Sequence, residues 1–86
     1  METAEERVTR VAAKCLKVDG ASMKLQDSFT ADLGADSVQS VELVAMFEGE
    51  FDIEMDEEQA LAVETVGGAV EYVRKVCREQ GKPADK

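Results

Sequence analysis

Apolar residues recur at helical spacing in two parts of the chain. Val8, Val11, Ala12, Cys15 and Leu16 follow an i, i+3, i+4, i+7, i+8 pattern, and Glu6, Arg7, Arg10, Lys14 and Lys17 fall mostly off that stripe. Thr3 followed by Glu6 has the spacing of a capping box, which starts this first helix. Near the other end Val66, Val70, Val73 and Cys77 form a second stripe, with Thr65 available as its cap. Gly67 and Gly68 weaken the first turn of that helix, and Gly81-Lys82-Pro83 stops it. Residues 81–86 are expected to form a flexible C-terminal tail, frayed over Ala84 to Lys86, after a helical domain over residues 1–80.

Between the two stripes, residues 18–36 hold Asp19-Gly20, Asp27-Ser28 and Gly34 with only scattered apolar positions. This predicts a long ordered loop anchored by Phe29 and Leu33, and loops of that length are often functional. Asp36 followed by Gln39 predicts a cap for a helix running to about Phe51. Its inward face is Leu43, Val44, Phe47 and Phe51, which leaves Val38, Val41 and Ala45 unassigned to the core. Residues 50–56 alternate like a strand, but no second strand exists to pair with them, so they are read as a helix end and turn with Phe51 and Ile53 inward. Asp56 then caps a short helix ending near Ala62. The predicted fold is all-α: a small four-helix bundle of three main helices and one short one, with a long first loop.

Charge sharpens this picture. The chain has 86 residues and a net charge of −9, with 19 acids and 10 bases. No Lys or Arg lies between Lys24 and Arg74, and that stretch carries 13 of the 19 acids. Such a middle repels nucleic acid and anionic headgroups and attracts basic patches on partner proteins. The plainer reading is a solvated surface that keeps the protein soluble. With no His, imidazole catalysis and His metal sites are excluded. Cys15 and Cys77 have no C-x-x-C spacing and read as reduced core residues of a cytoplasmic chain. No run is long enough to span a membrane. A calcium loop beginning at Asp52 would need Gly at its sixth position and Glu at its twelfth, which are Glu57 and Val63 here, so no metal site is assigned. No serine-hydrolase motif is present, and nothing marks a self-sufficient enzyme.

The informative segment is Asp32-Leu33-Gly34-Ala35-Asp36-Ser37, which puts a hydroxyl on the first turn of a helix. A helix N-terminus carries free N–H groups and partial positive charge, so it tolerates a phosphate. Capping by Asp36 or Ser37 is the simpler account of the same residues. The segment resembles the signature of the acyl carrier protein family, in which phosphopantetheine is attached to the serine. The likeness continues through Glu5 to Val8, Asp27 to Phe29, Val41 to Val44, Glu50 to Asp52, Thr65-Val66 and the region of Tyr72.

The resemblance implies that Ser37 accepts 4'-phosphopantetheine and that Asp36 supports it, helping to hold Mg²⁺ in the complex with the phosphopantetheinyl transferase. It implies that Glu42 and Glu48, with Val38, Val41 and Ala45, meet acyl-processing enzymes that carry basic docking patches. The chain would be a monomeric carrier rather than an enzyme, moving acyl thioesters between separate enzymes of fatty-acid, polyketide or related lipid biosynthesis. An aminoacyl or peptidyl carrier, and an unmodified acidic interaction module, are the alternatives. Val38, Gln39, Gly49 and Asp56 depart from the family's usual residues, which bears on the pathway served rather than on the fold.

Overall fold

The computed structural model describes Met1–Lys86. Its helices are α1 (Ala4–Leu16), α2 (Ser37–Phe51), α3 (Glu57–Leu61) and α4 (Val66–Gln80), with a short 3₁₀ turn at Gly20–Ser22 inside the first loop. The all-α four-helix reading holds. Each N-terminus is set by the residue its sequence predicts. Thr3 and Glu6 close a capping box on α1, Asp36 and Gln39 close another on α2, and Asp56 and Thr65 cap α3 and α4. Gly81 ends α4 in the left-handed conformation.

α1 packs against both α2 and α4, and α3 packs against α2. Polar contacts give the directions. Arg7, early in α1, meets Glu50 at the end of α2 and the carbonyls that follow α4. Cys15, late in α1, lies by the Gln39 carbonyl at the start of α2. α1 is therefore antiparallel to both. The shared core contains Val8, Val11, Ala12 and Leu16 from α1, Leu43, Phe47 and Phe51 from α2, and Val66, Val70, Val73 and Cys77 from α4. Ile53 is buried beside Phe51, and no strand forms over 50–56. Both cysteines are free thiols. Cys77 is close enough to Arg7 to feel its charge, whereas Cys15 stands eight residues further along α1, about 12 Å at helical rise.

The first loop is tied down at its far end. Phe29 N–H donates to the Glu64 carbonyl (3.0 Å), Val66 N–H to Asp27 O (3.0 Å) and Gly67 N–H to Leu25 O (2.7 Å). These bonds explain Gly67, because a Cβ there would come within 3.1 Å of the Leu25 carbonyl oxygen. Phe29 is buried and Leu33 half-buried, as the loop's spacing predicts.

Two expectations are corrected. Arg7 is not a surface residue: it is 2% exposed, with its guanidinium 4.1 Å from the centre of the Phe51 ring. Burial is tolerated because each of the three guanidinium nitrogens donates to at least one acceptor and one face of the group lies on the Phe51 ring. Nor do Ala84 to Lys86 fray. Lys86 and Glu2 exchange backbone hydrogen bonds of 2.6 and 2.7 Å, and Asp85 accepts from Ala4 N–H at 2.7 Å. The free amides at the start of α1 supply partners that the tail's own sequence does not announce.

Gly49, inside α2, is exposed, and a Cβ added there would meet no atom within 4 Å. Nothing in the packing requires glycine at this position. Gly49→Ala is expected to raise stability by about 0.5–1 kcal/mol, read as a higher urea midpoint at unchanged slope. An unchanged or lower midpoint would reveal a contact or conformation at Gly49 that this packing lacks.

Candidate functional site

The segment that presents Ser37 is held by short-range bonds. Asp32 accepts from Ser28 N–H (2.7 Å), and Leu33 N–H donates to the Ser28 carbonyl (3.0 Å). Gly34 follows with φ +76°, a conformation that glycine enters without a Cβ penalty. That turn directs Ala35 into the core, where its N–H donates to Phe29 O (2.8 Å). The chain then leaves the core as α2 begins. Asp36 accepts from Gln39 N–H (2.8 Å), and Gln39 Oε1 accepts from Asp36 N–H (3.2 Å). Capping is thus done by Asp36, and Ser37 stands one residue later, exposed. The other hydroxyl of this turn is differently placed: Ser40 is half-buried and donates to the Asp36 carbonyl at 2.9 Å.

From Ser37 the helix turns about 100° per residue, which brings Ser37, Glu48, Val41, Ala45, Val38 and Glu42 within one sector of about 140°. Val38 is 64% exposed and Val41 47% exposed, and Ala45 and Glu42 are exposed with them. The structure therefore gathers four of the five expected partner-facing residues on one open face beside Ser37. Glu48 differs. It stands at the edge of that face, half-buried, and its Oε2 accepts from Met55 N–H at 2.9 Å. Part of its carboxylate is engaged in holding the turn before α3. Exposed Asp56, Glu57 and Glu58 extend the acidic surface beyond α2.

Beside this face, a cavity of about 270 Å³ lies among the first loop, α2, α3 and α4. Its wall is mainly apolar, with Phe29, Leu43, Phe47, Met55 and Val63 among its members, and Ser40 and Thr30 add hydroxyls. Ser40, three residues from Ser37, is among its lining residues, so the cavity reaches the first turns of α2. No periodicity argument locates such a space, because it depends on how far α3 stands from α4. Ala35 also escaped the sequence reading, although a small residue between a left-handed glycine and a cap was the available signal.

Cys15 carries no chemistry in this surface. Its partial burial, reinforced by the negative charge of Glu42, pushes the thiol above its ordinary pKa and leaves it protonated.

The family model for the phosphopantetheine attachment site matches residues 6–73, from the first turns of α1 to the middle of α4. The chain belongs to this family of carrier proteins. Its domain is one that bears a prosthetic group rather than one that catalyses a reaction, and the group is 4'-phosphopantetheine, held covalently. The geometry fits such a group: an exposed hydroxyl on the first turn of a 15-residue helix, outside the capping bonds, faces solvent next to an apolar cavity.

Proposed function

We propose that Ser37 carries the phosphopantetheine arm and that the protein moves acyl groups, as thioesters, between separate enzymes of fatty-acid or related acyl, polyketide or lipid biosynthesis. The observation that carries this reading is the exposure of Ser37 on α2 while Asp36 and Gln39 complete the cap. When bound, the arm supplies a terminal thiol on which an acyl group can ride. The protein's residues supply the rest. Asp36 keeps the first turn formed, the N–H groups of that turn favour the phosphodiester, and the cavity offers apolar shelter from water. α3 has no fully buried residue, so it is the wall that moves at least cost. An acyl pathway is favoured over an aminoacyl or peptidyl one by the mainly apolar cavity wall and by the acidity around it.

Partner enzymes are expected to meet the face of Val38, Val41, Ala45 and Glu42, with basic side chains opposite its acids. Steered, short-lived complexes suit a carrier that must leave each site after one step. The transferase that attaches the arm would use the same face, with Asp36 next to the reacting hydroxyl.

Intact mass after co-expression with a phosphopantetheinyl transferase tests the assignment. A gain of one arm, mapped to the peptide holding Ser37, is expected. No gain would favour the unmodified interaction module. Material taken from its own cell would show the cargo directly, and an aminoacyl adduct would overturn the acyl reading.

Glu42→Lys reverses the field of the docking face without touching the core. Loading is expected to slow several-fold at low salt, with helix content unchanged. The difference should shrink as the Debye length falls from about 10 Å at 0.1 M to about 3 Å at 1 M. An equal loss at every salt concentration would point to altered packing rather than steering.

A further inference from the structure

We propose that residues 82–86 are a strap that latches the end of the bundle remote from Ser37, and that Arg7 is the positioning residue that holds it. Arg7 donates through Nε to Glu50 Oε2 (2.8 Å) and through Nη2 to the Glu50 carbonyl (2.6 Å). Its Nη1 donates to the carbonyls of Pro83 and Ala84, at 3.1 and 2.8 Å. One buried guanidinium thus joins the beginning of α1, the end of α2 and the segment after α4. Two of its four acceptors belong to the strap. The dependence is mutual: opening of the strap takes two acceptors from Arg7 and leaves its Nη1 to water, and without Arg7 the strap loses its only contact with a buried charge.

The remaining attachments are polar and peripheral. Asp85 caps the start of α1 through Ala4 N–H and pairs with Arg74 at 3.4 Å, Lys82 pairs with Asp52 at 2.8 Å, and Lys86 shares two backbone bonds with Glu2. Only Ala84 adds apolar burial, and that is partial. Glu2 and Glu50 are in turn bridged by Arg10. A segment held this way opens locally and at low cost, whereas the helices behind it open only with the whole fold.

Salt separates the strap from the rest. In a chain of net charge −9, added salt relieves self-repulsion and strengthens the fold as a whole. The strap's exposed ion pairs weaken under the same change. Amide hydrogen exchange followed by NMR on the whole chain reads both. Between low and 1 M salt, the amides of Glu2, Ala4 and Lys86 should exchange several-fold faster, and those of core residues such as Val73 should slow or hold. Asp85→Ala, a substitution outside the core, should speed exchange at Ala4 by about tenfold, the usual effect of a lost helix cap, and leave Gln39 and Phe29 unchanged.

Arg7→Met tests the hub, since it keeps apolar bulk over Phe51 and removes the donors. Protection at Glu2 and Lys86 should fall to that of a free peptide while α2 and α4 stay formed. Arg7→Lys, which keeps charge without the planar fork, should lose the same protection. The proposal is overturned if Glu2 and Lys86 already exchange freely in the parent. It is also overturned if Arg7→Met and Arg7→Lys leave them protected, or if salt shifts strap and core amides in the same direction.

Discussion

Ser37→Ala is expected to abolish acquisition of the phosphopantetheine arm and to change unfolding by no more than about 1 kcal/mol. Both halves follow from the division of labour in the first turn of α2. The bonds that start the helix belong to Asp36 and Gln39, at 2.8 and 3.2 Å, and the Ser37 side chain is exposed beside them. Removing its hydroxyl leaves no buried polar group without a partner. Substitution of the function by a neighbour is blocked by geometry, since Ser40 is half-buried and its hydroxyl already donates to the Asp36 carbonyl. The measurement is intact mass after co-expression with a transferase, alongside a urea melt of the same preparation. An arm found on Ser40 of the variant would show that the attachment site had been misplaced. A large loss of stability would show that Ser37, not Asp36, is the working cap.

The contrast between Asp36 and Arg7 shows what could be read from the chain alone. Caps and stripes depend on neighbours three or four residues apart, so Thr3, Asp36, Asp56 and Thr65 are visible from spacing, as are the buried positions of α1 and α4. The exposed apolar residues Val38 and Val41 are visible for the same reason, as positions left over once the inward face is assigned. Arg7 depends on Glu50, Phe51, Pro83 and Ala84, which lie 43 to 77 residues away. Its one local signal is an i, i+4 relation to Val11, which places it on the apolar stripe, and charge outweighed that signal. The tail was misjudged with it, because 81–86 looks unstructured until Arg7 and the free amides of α1 are seen to need acceptors. Glu48 is a milder case: spacing puts it at the edge of the open face, but only the turn at Met55 shows where its carboxylate goes.

Phe51→Ala should have the largest effect on stability of any single substitution considered for this protein. Phe51 is 2% exposed, closes α2, and lies under the Arg7 guanidinium at 4.1 Å. Truncating a buried phenylalanine costs about 3–5 kcal/mol through lost transfer energy and the space left behind. Loss of the aromatic face adds up to about 2 kcal/mol where the cation is desolvated, as it is here. A domain of this length has roughly 4–13 kcal/mol in all, so the variant stands near the limit of folding. The midpoint of thermal unfolding should drop by roughly 15–30 °C. Phe51→Leu separates the two contributions, because it keeps most of the apolar volume and removes only the ring. It should lose about 1–2 kcal/mol, and the difference between the variants measures burial. The cation–π part is isolated by adding Arg7→Met to each background: the Phe51→Leu cost should shrink when no cation is present, as a coupled pair requires. Independent costs would mean that Arg7 is held by Glu50 and the strap carbonyls alone. A Phe51→Ala loss below about 1.5 kcal/mol would mean that Ile53 or Arg7 refills the space, and that this end of the core is less tightly fixed than its burial implies.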